Sequence, residues 1–282
     1  MNPHLAALAS ALLFSTGGAA IKSTSLSSWQ VAGLRSLIAA IAIAIVLPEA
    51  RKAWSRAAAL VGIAYALCLL SFVVATKNTT SANAIFLQGT APLYLIFLGP
   101  WLLHEKARKS DWVTLGLIAA GMVLVFWETG SAQRLAPNPI FGNFCGVLSG
   151  ITWALTVCGL RWLSRRGEEN SMAPVLIGNL LAFGLASPKI LPLDAASGSD
   201  IIALFYLGVV QVGLAYWLLT RAISRLSALE TSLLVMLEPA LNPVWTWIVH
   251  EERPALLAIF GGVLIIGSTL IKSWIEREDV LT

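Results

Sequence analysis

Residues Gly116-Leu-Ile-Ala-Ala-Gly121 recur as Gly262-Val-Leu-Ile-Ile-Gly267, and this repetition at an offset of 146 constrains the fold more than any other feature. The same offset carries His104-Glu105 onto His250-Glu251 and Ala82 onto Ala228. One residue of slippage brings Pro92 onto Pro239, and an offset of 139 brings Ser10 and Phe14 onto Ser149 and Trp153. The chain reads as one five-helix unit written twice, over residues 1–136 and 137–282. Five crossings are an odd number, so the second copy enters a bilayer inverted and each repeated loop falls on the opposite side. Inverted repeats of this kind build a central site with two alternative exits, the architecture of a secondary transporter.

A membrane is required because the chain is 57% hydrophobic and only 12% charged, with a mean hydropathy of +0.78. Soluble domains carry about a quarter charged residues. A chain this apolar cannot cover its surface with polar groups, and lipid must be its solvent. Ten apolar stretches have the length that spans a bilayer. They run over 5–21, 29–47, 57–76, 80–103, 111–127, 140–163, 172–188, 201–220, 228–249 and 255–274. The expected fold is therefore an all-α polytopic membrane protein, ten helices as two inverted five-helix repeats around a central cavity. The longest connections, around 128–139 and 189–200, hold Pro, Gly, Ser and Asp or Asn and read as turns.

Loop charge sets the orientation. One set of loops carries thirteen Lys and Arg, among them Arg51, Lys106, Arg161, Arg221 and Lys272. The opposite set carries five: Lys22, Lys77, Arg134, Lys189 and Arg253. This bias places both termini in the cytoplasm. It also accounts for the basic pI of about 9.1 without a nucleic-acid partner, for which basic residues would cluster on one polar face. The N-terminal run lacks a basic leader region and is expected to be a full span rather than a signal peptide. Cys68, Cys145 and Cys158 fall within helices, without disulfide or metal-ligand spacing.

Two ionisable residues lie deep inside spans, Arg35 and Glu238. Charges at that depth are costly and usually face a cavity or a partner. Glu238 is too short and too central to reach the interface, and a protonated carboxyl joining two helices is the structural alternative. Arg35 follows Trp29 by six residues, so its stem can also reach the outer interface. The Glu238-Pro239-Ala-Leu-Asn242-Pro243 run interrupts the ninth helix, because each proline removes a backbone donor. Gln88, one turn before Pro92, mirrors this in the fourth helix. Pro92, Pro239 and Pro243 are the candidate kink positions, suited to a rocking motion. Phe14 and Trp153 each stand one turn after a serine at equivalent places in helices one and six, and Trp153 is the tryptophan expected to face substrate. Trp29, Trp54, Trp101, Trp112, Trp127, Trp162 and Trp274 sit near span ends, as in an interfacial belt. Gly116, Gly121, Gly261, Gly262 and Gly267 are spaced for helix packing.

Enzyme motifs are missing. His104-Glu105 resembles the start of a zinc-protease helix, but Arg108 stands where the second histidine is needed, and Pro254 does so in the second copy. No metal site, cofactor or P-loop is expected.

Pro92 with His104-Glu105-Lys106, and Glu238-Pro239 with His250-Glu251-Glu252-Arg253, are each followed by a glycine helix. With that set the chain resembles the EamA-type drug/metabolite transporter superfamily over nearly its whole length. Within it the chain is most similar to the bacterial YddG-type exporters of aromatic amino acids. The resemblance implies an inner-membrane exporter of amino acids, aromatic and other neutral ones, working by alternating access, with no cofactor and as a monomer or homodimer. It places Phe14, Tyr65, Gln88, Trp153, Gln211, Tyr216, Glu238 and Asn242 along the central cavity. The small four-helix multidrug relatives exchange protons on a glutamate in their first helix; residues 5–21 contain no acid, so that device is missing here. Export of cationic or amphiphilic drugs, with Glu238 as counter-charge, is the alternative reading. A non-transporting scaffold or receptor would keep polar groups at the helix ends, and Gln88, Glu238 and Asn242 sit at mid-depth instead.

Overall fold

A computed structural model describes residues 1–79, 81–126, 137–168, 172–193, 196–250 and 256–279. All regular structure among these residues is helical. Among the described residues six runs are long and apolar enough to cross a membrane: Pro3–Lys22, Ser28–Val46, Arg56–Asn78, Asn83–Leu103, Pro139–Arg165 and Gly198–Ile223. The described residues of the remaining apolar stretches are largely helical as well. In chain order the helices are α1 (Pro3–Ser15), α2 (Gly17–Lys22), α3 (Ser28–Val46), α4 (Pro48–Lys52), α5 (Arg56–Asn78), α6 (Ser81–Gln88), α7 (Ala91–Leu98) and α8 (Lys109–Phe126). Then come α9 (Pro139–Arg165), α10 (Ala173–Ala186), α11 (Gly198–Phe205), α12 (Ala215–Ile223), α13 (Ala228–Val235), α14 (Leu237–His250) and α15 (Leu256–Asp279).

Short polar side chains start many of these helices by accepting from otherwise orphaned backbone donors. Ser27 accepts from the Gln30 amide, whose side chain reciprocates, and Ser55 accepts from Ala58. Asn138 opens α9 by accepting from Phe141, and Ser227 opens α13 by accepting from Glu230.

Three apolar runs are broken in the middle. Pro92 is the second residue of α7 and cannot donate back to the Gln88 carbonyl, so α6 stops at Gln88 and the chain turns at Gly89–Thr90. Thr90 Oγ1 donates to the Leu87 carbonyl at 2.7 Å across that turn. The α13–α14 break falls at Met236, three residues ahead of Pro239. The α1–α2 break falls at Thr16, whose hydroxyl donates to Leu13 O at 2.7 Å and meets the Tyr206 hydroxyl at 2.8 Å. A fourth irregularity had no sequence signal: Tyr206–Leu214 is a π-helical segment joining α11 to α12.

Packing centres on α5, which lies against α9 and α10; α3 lies against α10 and the π-helical segment. Helix α1 packs on α12, α13 and α14, while α8 and α15 pack on each other. The core is rich in buried alanine, and many large apolar side chains face outward. Phe97 is 76% exposed, Trp101 74% and Ile140 85%. An exterior of that kind is unfavourable in water and suited to lipid. The helices and this apolar exterior describe a multi-pass membrane protein.

Candidate functional site

Where α1, α3, α5, α6, α9, the π-helical segment, α12 and α14 converge, a small cavity lies within the bundle. Phe14, Gln88, Trp153, Gln211, Tyr216 and Glu238 line it, together with Arg35, Cys68, Leu69, Phe72 and Val212. Its free volume is about 40 Å³, room for a water or two. A solute the size of an amino acid enters only after helices part.

One wall is aromatic. Phe14 meets Tyr216 with centroids 5.0 Å apart and Trp153 at 5.9 Å, and Trp153 meets Tyr216 at 6.0 Å. All three contacts are edge-to-face, the arrangement ring quadrupoles favour. Tyr65 stands behind this wall, 4.8 Å from Tyr216, with no exposed surface. Its hydroxyl accepts from Asn179 Nδ2 at 2.9 Å. Asn242 is buried one turn beyond Glu238 but is not among the cavity residues. Tyr65 and Asn242 thus lie outside the cavity lining.

Polar contacts lie beside the rings. Gln88 Nε2 donates to Ser149 Oγ at 2.7 Å, and Ser149 Oγ donates to the Cys68 carbonyl at 3.3 Å. On the other side of the bundle Ser10 Oγ donates to the Ala215 carbonyl at 2.9 Å. The glycine that follows Ser149 matters here: a Cβ at Gly150 would sit 2.7 Å from the Leu87 carbonyl, so α9 reaches the α6–α7 turn only as glycine. Trp245 Nε1 donates to Ser15 Oγ at 2.7 Å, tying α14 to the break between α1 and α2. Of the kink candidates, Pro92 and Pro239 follow the two helix breaks. Pro243 lies within α14 and its side chain is outside the described residues. Glu251, Glu252 and Arg253, the second copy of the acidic motif, also lie outside them.

Glu238 is 9% exposed, and no hydrogen bond or ion pair to it occurs among the described residues. Arg35, for which the sequence left an interfacial position open, is 3% exposed and turned to the cavity. The sequence did not find Cys68, Leu69, Phe72 or Val212, apolar or weakly polar residues on helices that are apolar on every face.

The first copy of the acidic motif lies at one end of the bundle. Glu105 Oε1 accepts from Arg161 Nε at 2.7 Å, and Oε2 accepts from the Ala228 amide at 3.0 Å. Arg161 also donates to the Ile223 and Ser224 carbonyls, both at 3.1 Å. His104 is held in a left-handed conformation (φ 55°) where α7's continuation ends. Glu105 therefore ties together the ends of α9, α12 and α13. It carries no hydrolytic geometry, and among the described residues no group of three His, Cys, Asp or Glu could hold a metal.

The model of the EamA-like transporter family matches residues 1–127 and 140–274. An uncharacterized transporter of Helicobacter pylori (strain ATCC 700392 / 26695) is 31% identical over 120 residues, 43% of this chain and 37% of the relative. The uncharacterized transporter YdfC of Bacillus subtilis (strain 168) is 23% identical over 212 residues, 73% of this chain. The chain thus spans about two thirds of YdfC (66%) and little over a third of the Helicobacter protein. A solved crystal structure at 20% identity superposes with a TM-score of 0.78, covering 98% of each chain, which speaks for the fold. The family match takes in both halves and all the cavity-lining residues, and the chain belongs to the EamA-like transporter family, a family of membrane transporters and not of enzymes.

Proposed function

We propose that this protein exports amino acids, aromatic and other neutral ones, from the cytoplasm by alternating access. The observation that carries this reading is the central cavity, in which the Glu238 carboxylate and the aromatic edges of Phe14, Trp153 and Tyr216 face one space. A carboxylate is complementary to an ammonium, and aromatic edges suit a planar apolar side chain.

Two inverted five-helix repeats, 1–136 and 137–282, supply the mechanism. The serine bonds beside the cavity support this symmetry. Ser10 to Ala215 O and Ser149 to Cys68 O are the same contact displaced by 139 residues at the donor and 147 at the acceptor. The paired breaks ahead of Pro92 and Pro239 give each half a bend at cavity depth. Rocking one half against the other would open the closed cavity to either side in turn, with ten membrane crossings, both termini in the cytoplasm and the bacterial inner membrane as the setting. The Glu105–Arg161 contacts would close the cytoplasmic exit.

Glu238 beside three aromatic rings also favours a second reading, export of cationic amphiphilic drugs, in which the carboxylate meets a drug ammonium. Liposomes containing the purified protein, offered radiolabelled phenylalanine, tryptophan, leucine, glutamate and a quaternary ammonium dye, separate the two. Uptake of the neutral amino acids above empty liposomes is expected. Uptake of the dye alone would replace the first reading with the second.

A further inference from the structure

Arg35 is the eighth residue of α3, about 10 Å from its start at 1.5 Å per residue. Its side chain does not turn back to the interface but lines the central cavity at 3% exposure. Nε and Nη1 are buried and have no hydrogen-bond partner among the described residues. The backbone there is held closely. Gly208 of the π-helical segment packs so tightly on α3 that a Cβ would stand 2.8 Å from the Arg35 carbonyl. In the same cavity Gln211 Oε1 is a buried acceptor that likewise lacks a partner among the described residues.

A buried guanidinium that serves the fold is normally paired and hydrogen-bonded, because its desolvation is otherwise uncompensated. Arg35 is paired neither with Glu238 nor with Gln211, although all three face one space. What these groups lack is an anionic, planar acceptor for Arg35 and a cationic donor for Glu238 and Gln211. A carboxylate matches a guanidinium fork in shape and charge, and an ammonium matches Glu238 and Gln211 Oε1.

We propose that Arg35 is the carboxylate-binding residue of the central site, so that the site takes zwitterions with a free carboxylate and discriminates against the corresponding amines. The assignment rests on the amino-acid reading above and narrows it: a cationic drug would leave Arg35 as unpaired as it is now and would be repelled by it.

The test is binding to the purified full-length protein by calorimetry, using phenylalanine with phenethylamine and leucine with isopentylamine as pairs that differ by the carboxylate. The unaltered protein is expected to bind each amino acid at least about tenfold more tightly than its amine. Arg35→Gln should weaken amino-acid binding by about ten- to a hundredfold and leave amine binding unchanged or tighter, collapsing the ratio. Arg35→Lys, which keeps the charge but not the fork, should fall between them; if Arg35→Gln does not fold, Arg35→Lys carries the comparison with a partial loss. Thermal unfolding gives a readout that a structural arginine would move the other way. Without ligand, Arg35→Gln should melt no lower than the unaltered protein. An unchanged ratio in the variants overturns the assignment, as does equal binding of amine and amino acid to the unaltered protein. Binding of neither amino acid to the unaltered protein is a different failure, in which the amino-acid reading falls and takes this assignment with it.

Discussion

At the rim formed by the start of α8 and the second half of α15, Lys272 Nζ lies 2.6 Å from Asp111 Oδ1, with the two side chains 1% and 6% exposed. Asp111 also accepts from the Arg108 amide at 2.6 Å, and nearby His4 Nε2 lies 3.0 Å from Glu230. At the centre Arg35 and Glu238 are as deeply buried, yet neither is paired with the other. The same chain thus satisfies its buried charges at one end and leaves them unmatched at mid-depth. The rim charges join helices; the central ones, on the proposal above, are completed by a solute that brings the missing partners.

The contrast breaks first at Lys272. Removing one member of a buried pair strands the other, at about 3–5 kcal/mol. Lys272→Met should therefore lower thermal stability in detergent sharply, and the double replacement Asp111→Asn with Lys272→Met should recover most of the loss. A neutral Lys272→Met would mean that the rim pair is no more structural than the centre. At Gly208 the expected effect is smaller. Gly208→Ala pushes a methyl against the Arg35 carbonyl, and overpacking of this kind costs about 1–3 kcal/mol. Ligand affinity should fall along with melting temperature if the close approach positions Arg35, whereas a loss of stability alone would confine Gly208 to packing.

Trp153 sharpens the comparison from the aromatic side. Trp153→Ala removes edge contacts to Phe14 and Tyr216 worth about 0.5–1.5 kcal/mol each. Transport of phenylalanine and tryptophan should fall more than transport of alanine. Equal loss across sizes, at equal protein level, would make Trp153 a packing residue. A reporter fused after Thr282 should perturb nothing and be active only in the cytoplasm; a periplasmic signal would reverse the assignment of the Glu105 end to the inside.

Much of this was legible from residue order. Apolar run lengths gave the helices, because a bilayer sets one span length and short loops leave few alternatives. The prolines gave two of the breaks, since a missing donor is a local and predictable defect. The π-helical segment 206–214 left no such mark, as YLGVVQVGL holds no residue that forbids an α-helix. The direction of Arg35 was hidden for a related reason. Helix α3 is apolar on nearly every face, so its pattern fixes no rotational phase. Only the packing of α3 on α10 and on the π-helical segment decides whether position 35 looks at lipid, interface or cavity. Cys68 and Phe72 were missed likewise, one and two turns beyond Tyr65 on a helix whose interior is defined by its neighbours.

The central claim is that the unmatched charges at mid-depth are there for substrate, and Glu238→Gln in liposomes tests it most directly. Concentration dependence of uptake would be measured for phenylalanine and for 3-phenylpropionate, which lacks the amino group. The account predicts that the apparent affinity for phenylalanine falls by about tenfold or more, while that for 3-phenylpropionate changes far less. Unchanged affinity and unchanged transport of both solutes in Glu238→Gln would reduce the carboxyl to a helix-joining group and contradict the claim.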